Sequence, residues 1–167
     1  GIRELVMELR QICGSLRPPT IDSLGLGAAI QSFTSEWGER TGIKATLCVD
    51  TRLGRLPETI ELSIFRIVQE GLNNVWRHAK ASSVKIEVQH TSPRALMVRI
   101  EDDGMGFTES VDMANLSKSG HFGLLGISER VALLGGRMRL QRQPAGGSLL
   151  QVEIPHPRVS VEVDAAG

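Results

Sequence analysis

The amino-acid sequence predicts an α+β sandwich of two layers, a mixed β-sheet with helices packed on one face, and three observations carry that prediction. Segments of helical period and segments of strict alternation follow one another as helix, helix, strand, helix, strand, strand, long loop, helix, strand, strand. Two of the strand pairs are joined by short turns, which makes antiparallel hairpins rather than the regular winding of a parallel sheet. The 167 residues, 41% of them hydrophobic and 23% charged, suffice for one good core and are too few to expect two.

The elements are read in chain order. Leu5, Leu9, Ile12 and Leu16 recur at the spacing of one helical face, and Pro18-Pro19 stop that helix. Asp22 and Ser23 are placed to cap a second helix whose stripe is Leu26, Ile30, Phe33 and Trp37 and which ends near Gly42. Between Lys44 and Asp50, Ala45, Leu47 and Val49 alternate with polar residues as in a half-buried strand. Pro57 opens a long helix to about Ala79, with Phe65, Val68, Leu72, Val75 and Ala79 on one side and Arg66, Glu70, Asn74 and Arg77 on the other. The alternating runs Val84-Ile86-Val88 and Leu96-Val98-Ile100 form a hairpin around Ser92-Pro93-Arg94. From Gly104 to about Phe122 no period survives. A loop of that length, rich in Gly, Ser, Asp and Asn, is expected to act as a lid or binding loop and to be disordered without a ligand. A helix from Leu124 to Leu134 closes at Gly135-Gly136, two strands turn at Ala145-Gly146-Gly147, and the residues after Pro155 are expected to fray.

Composition narrows the functional classes. Lys plus Arg and Asp plus Glu each number 19, so the chain lacks the overall positive field of non-specific nucleic-acid binding, and no nucleic-acid partner is expected. No apolar run approaches the roughly 20 residues that cross a bilayer, and Gly1-Ile2-Arg3-Glu4 does not open a signal peptide. Cys13 and Cys48 fit no metal-ligand spacing and suit a reducing cytoplasm.

Three segments carry chemistry. Glu70 and Asn74, four apart, project from one face of the long helix, with Arg77 and His78 a turn further on. A carboxylate beside an amide oxygen suits a hard cation such as Mg2+ that keeps most of its waters, and the Arg77 fork suits a phosphate. A solvated polar face is the plainer alternative for that segment taken alone. Asp102 shares the parity of Leu96, Val98 and Ile100, so its carboxylate points to the buried side at a strand end. A buried anion requires a donor. The exocyclic amine of adenine supplies one, whereas guanine presents a carbonyl there. Gly104 and Gly106 permit a sharp turn and close approach to a ligand, although an ordinary Asp-Gly turn gives the same letters. Finally, Gly120-His121-Phe122-Gly123-Leu124-Leu125-Gly126 leads a glycine-containing loop into a helix whose free N–H groups attract anionic oxygens. This loop does not follow a strand and lacks Gly-Lys-Ser/Thr, which disfavours the dinucleotide fold and the P-loop.

In this order and on these elements, the three segments resemble the N box, G1 box and G2 region of the Bergerat-fold ATPases, the superfamily of histidine kinases, gyrase, Hsp90 and MutL. The N box corresponds to Glu70-Gly71-Leu72-Asn73-Asn74-Val75-Trp76-Arg77-His78-Ala79, the G1 box to Asp102-Asp103-Gly104-Met105-Gly106-Phe107, and the G2 region to residues 120–126. Leu16-Arg17-Pro18-Pro19, Asp22-Ser23-Leu24-Gly25-Leu26 and Gly123-Leu124-Leu125-Gly126-Ile127-Ser128-Glu129-Arg130-Val131 are similar to sensor kinases related to nitrate and membrane-fluidity sensors. The resemblance implies a Bergerat-type sandwich that binds ATP and Mg2+. It puts Asn74 on the metal, Arg77 and His78 near the phosphates, and Asp102 on the adenine amine. Gly104 and Gly106 shape the pocket, and Gly120, His121, Gly123, Leu124 and Gly126 belong to the phosphate side of the lid. Ser148 stands where the family has Thr behind the adenine, and Glu70 where ATP-hydrolysing relatives have their general base.

By the same resemblance, residues 1–19 are the remnant of a dimerisation and phosphotransfer helix, 20–155 the ATPase domain and 156–167 a flexible tail. None of His78, His90, His121 and His156 has the setting of a phospho-accepting histidine, so the chain is expected to be a piece of a longer cytoplasmic kinase, soluble or membrane-anchored. That parent is expected to be a homodimer that phosphorylates its own histidine and signals to a response regulator. The piece alone would be a monomer that does not autophosphorylate. The alternative within the superfamily is an anti-sigma-factor-like switch and serine kinase, whose relatives lack Leu-Arg-Pro-Pro.

Overall fold

A computed structural model describes residues 1–5, 19–106 and 122–155. Residues 2–5 are helical. The ordered elements, numbered in chain order, are α1 (Pro19–Leu24), α2 (Leu26–Thr41), β1 (Lys44–Val49), α3 (Glu58–His78), β2 (Ser83–Ser92), β3 (Ala95–Asp102), α4 (Phe122–Leu133), β4 (Arg137–Arg142) and β5 (Ser148–Pro155). The tail after Pro155 and most of the expected lid, including Gly120 and His121, lie outside the described residues.

The five strands form one sheet in the order β1-β2-β3-β5-β4. β1 runs parallel to β2 with Lys44 opposite Ser83, and the other neighbours are antiparallel, which makes the sheet mixed as expected. Residues of one parity, among them Val84, Ile86, Val88, Leu96, Val98, Ile100, Leu150, Val152 and Ile154, are buried. On that face α2 packs over β1, α3 over β3, and α4 over β4 and β5. The opposite face carries the polar parity. There Glu87 meets Lys85 at 2.9 Å and Arg99 at 3.4 Å, partly exposed pairs that add little stability.

Glycine decides how closely α3 approaches the sheet. A Cβ at Gly71 would overlap the Ile100 terminal methyl and touch Leu150 Cδ2 at 3.6 Å, so the helix crosses β3 there. Alanine at this position would recover about 1 kcal/mol of helix propensity and lose about 1–3 kcal/mol to overpacking. Gly71→Ala is therefore expected to lower stability by about 1 kcal/mol; a urea midpoint at or above that of wild type would show that the helix lifts off without strain.

One local expectation fails. Asp22 and Ser23 do not cap the second helix; they belong to α1, and Gly25, at φ +86°, occupies the N-cap of α2 with no side-chain hydrogen bond. Proline begins a helix as readily as it stops one. Pro19 therefore opens a short helix that puts Ile21 into the core, and Gly25 breaks the chain between two helices. The end of α4 follows expectation: Gly136 N–H donates to Val131 O at 2.9 Å and Gly135 N–H to Ala132 O at 3.0 Å, the paired bonds of a Schellman closure.

Candidate nucleotide site

The floor of the site is the end of β3 and the start of β5. Burial alternates along β3 to its last residue, so Asp102 points inward and is 7% exposed, opposite Ser148, also 7% exposed. The Asp102 carboxylate accepts a hydrogen bond from Gly104 N–H at 2.9 Å. Burial raises its pKa above the ordinary 3.8, the backbone donors of Gly104 and Ser148 oppose that rise, and the neighbouring Asp103 and Glu101 charges reinforce it. A carboxylate in this condition gains from one more donor.

Backbone packing fixes that floor. A Cβ on Gly104 would land within the Ala79 carbonyl, and Met105 N–H donates to Ala79 O at 2.8 Å, so the chain after β3 lies against the end of α3. Gly147, at φ +89°, has no room for a Cβ against the Asp102 carbonyl, and Gly106, at φ +71°, faces Gly147 in turn. Gly147 belongs to the site as much as the two predicted glycines do. Its sequence signal, the Ala145-Gly146-Gly147 turn, speaks of a turn and not of a partner.

The walls are α3 and α4. α3 passes over Ile100 at Gly71 and reaches Gly104 at Ala79, about 12 Å of helix over about 13 Å of strand, so the two run side by side. Asn74 lies within that stretch and is half-buried, level with the last residues of β3. Its flank is set by Glu70 one turn earlier, whose Oε2 lies 3.2 Å from where a Gly123 Cβ would be. The face of α3 bearing Glu70 and Asn74 therefore looks toward the first turn of α4. Leu124 is buried and packs into the core, and Gly126 is exposed. Arg77 and His78 are exposed at the last turn of α3.

The structure thus gathers Asp102, Ser148, Gly104 and Gly106 into a floor and sets Glu70, Asn74 and Gly123 along one wall. Among the described residues no group of three or more His, Cys, Asp or Glu could hold a metal by itself. A cation here would be held by Asn74, Glu70 and oxygens that a ligand brings, which is how Mg2+ is bound beside phosphates. Sequence reasoning passed over Asp103, whose carboxylate accepts hydrogen bonds from Ser82 and Ser83.

A mixed sheet with helices on one face, a buried carboxylate at a strand end and a helix start opposite a Glu/Asn flank define a nucleotide-binding α+β sandwich. Residues 59–158 match the family described as "Histidine kinase-, DNA gyrase B-, and HSP90-like ATPase", and the chain belongs to that ATPase family. It is 33% identical, over 92% of its length, to the signal transduction histidine-protein kinase/phosphatase DegS of Brevibacillus brevis. It is 28% identical, over 90% of its length, to the oxygen sensor histidine kinase NreB of Staphylococcus carnosus. The chain spans 38% and 42% of those two proteins. The histidine kinase domain of the blue-light activated kinase EL346 of Erythrobacter litoralis superposes with a TM-score of 0.66 at 27% identity, over 78% of this chain and 60% of that one. No helix among the described residues is long and apolar enough to cross a membrane.

Proposed function

We propose that this chain is the Mg-ATP-binding catalytic domain of a sensor histidine kinase, which donates the γ-phosphoryl group to a histidine on a phosphotransfer domain. The observation that carries the reading is the inward-facing Asp102, buried beside Ser148 at the end of β3, alongside the stretch of α3 that bears Asn74. Asp102 accepts the adenine amine and would leave a 6-oxo purine with two acceptors face to face. Ser148 lies beside it at the back of the base. Gly104, Gly106 and Gly147 keep side chains out of the pocket. Gly123 and Leu124 open α4 with N–H groups for the phosphates, Gly126 keeps a side chain off the same turn, and Gly120, His121, Arg77 and His78 complete that side.

Glu70 decides the need for a metal. A triphosphate at the first turn of α4 would be repelled by that carboxylate, and a divalent cation held by Asn74 would supply the positive charge that offsets the repulsion. Mg2+ supplies charge neutralisation at the phosphates. The protein's own part is positioning and electrostatic stabilisation, with Glu70 orienting the metal site or a water. Residues 1–19 then belong to the dimerisation and phosphotransfer helix, 20–155 to the catalytic domain and 156–167 to a tail. The partners are the kinase's own phosphotransfer domain, within a cytoplasmic homodimer, and a response regulator. The histidine kinases DegS and NreB support this branch over the serine kinase alternative.

The test is calorimetric affinity for ATP and GTP with and without Mg2+, on wild type and Asn74→Ala. ATP should bind at least tenfold tighter than GTP, and Asn74→Ala should remove most of the Mg2+ dependence. Equal affinities for the two purines, or Mg2+ dependence untouched by Asn74→Ala, overturn the reading.

A further inference from the structure

Asp103 follows the purine-facing Asp102 in the chain and, by strand parity, turns to the opposite side, where it is exposed. An exposed carboxylate ordinarily takes its hydrogen bonds from water. This one accepts four from the protein. Oδ1 receives the backbone N–H of Ser82 at 2.8 Å and of Ser83 at 2.9 Å, and Oδ2 receives the hydroxyls of Ser82 at 2.7 Å and Ser83 at 3.0 Å. These donors hold its pKa far below the usual carboxylate range, with the Ser82 hydroxyl the largest contributor. The backbone joins in, Asp103 N–H donating to Ser83 O at 3.3 Å.

The location gives the bonds their consequence. Ser82 and Ser83 lie between the end of α3 at His78 and the body of β2, so Asp103 ties the end of the adenine strand to the chain that leaves the Asn74 helix. Two residues on, Met105 N–H fastens the same segment to Ala79 O at 2.8 Å. Residues 103–105 are thus pinned to the α3 exit at both ends, and Asp102 immediately precedes the pin. A second anion there also carries a cost, because its charge disfavours ionised Asp102. A like charge beside the reading carboxylate is tolerable when it holds geometry that the reading needs.

We propose that Asp103 is a positioning residue for purine selection: its four-bond clamp on Ser82 and Ser83 sets the Asp102 carboxylate at the height from α3 where it meets a 6-amino and not a 6-oxo purine. The proposal rests on the nucleotide reading above. Asp103 does not touch the base, and its effect reaches the ligand through Asp102.

The experiment measures dissociation constants of the whole chain for Mg-ATP and Mg-ITP, which differ at the purine 6-position, in wild type, Asp103→Ala and Asp103→Asn. In Asp103→Ala the ATP-over-ITP preference should fall about tenfold, through weaker ATP binding with ITP affinity unchanged. Asparagine retains an oxygen for the two N–H donors and presents an amide to the serine hydroxyls, so Asp103→Asn should recover most of the preference. The double variant Ser82→Ala/Ser83→Ala, which removes the hydroxyl donors alone, should lie between, and it serves if Asp103→Ala does not fold. An unchanged ATP-over-ITP ratio in Asp103→Ala or the serine variant, or equal weakening of both nucleotides, overturns the clamp while leaving the nucleotide reading intact. A wild-type chain without preference for ATP overturns both.

Discussion

Asp102→Ala is expected to weaken ATP binding by about 10- to 150-fold, the worth of a hydrogen bond to a charged acceptor, while the affinity for a 6-oxo purine nucleotide stays near its low wild-type value. The argument turns on burial. At 7% exposure Asp102 is shielded from most competing water, so a bond donated by the adenine amine would count at close to its full worth. The same condition fixes the pH dependence. Burial raises the Asp102 pKa above 3.8, and a donor from adenine favours the ionised form, so ATP affinity should fall as pH drops through the raised value, in a window above that of an ordinary carboxylate. Measuring Asp102→Asn in parallel isolates this slope, since the variant keeps the titration of the phosphates and loses that of the carboxyl. Stability responds with the opposite sign. A group whose folded pKa is raised contributes stability below its unfolded pKa and loses that contribution as pH rises through the folded value. Ligand-free Asp102→Asn should therefore melt above wild type at neutral pH, and the difference should shrink in acid. Undiminished ATP affinity in Asp102→Ala would remove the purine-reading role altogether.

What the sequence discloses and what it conceals divide along periodicity. The inward aim of Asp102 is legible because strand parity is strict: once Leu96, Val98 and Ile100 are buried, the residue two further on must be too. The amphipathic face of α3 and the hairpins on either side of β3 are legible for the same reason, each being a pattern within one segment. Partners from elsewhere in the chain are not. The parallel pairing of β1 with β2 leaves no trace, since alternation reports a buried face and says nothing of direction. Asp103 reads as a surface acid beside a glycine. Its serine donors lie 20 and 21 residues back and arrive only when β2 pairs with β3. Gly147 reads as a turn, and only the register of Asp102 with Ser148 reveals that it must fit beneath a carbonyl. The Asp22-Ser23 cap failed because a short helix begun by proline satisfies the local signals equally well.

Glu61 belongs to the same hidden class and carries the largest expected effect on stability. It occupies the first turn of α3 but is 3% exposed, with Oε1 bound to Arg55 Nη2 at 3.2 Å and Oε2 buried without a hydrogen-bond partner among the described residues. The same guanidinium donates to Ile21 O at 3.3 Å and Asp22 O at 3.5 Å, carbonyls near the end of α1, so one side chain ties α1 to the start of α3. Breaking a buried pair on one side costs about 3–5 kcal/mol. The Arg55 side chain is 58% exposed, so water can follow where it leaves, and Arg55→Ala is expected to lose about 2 kcal/mol. In a Glu61→Gln background, where no charge is stranded, the same substitution should cost less than about 1 kcal/mol, giving a coupling above about 1 kcal/mol in denaturant titrations. Lysine should not replace Arg55, because a single ammonium cannot serve the carboxylate and two carbonyls in the geometry of a planar fork. Nucleotide affinity supplies the control. Glu61 lies 13 residues before Asn74, about 20 Å along the helix, so Arg55→Ala should leave ATP binding within about twofold and raise amide exchange in α1 before α3. Additive costs in the double variant would reduce Arg55 to an ordinary surface cation, and loss of ATP affinity would mean that the two ends of α3 are not independent.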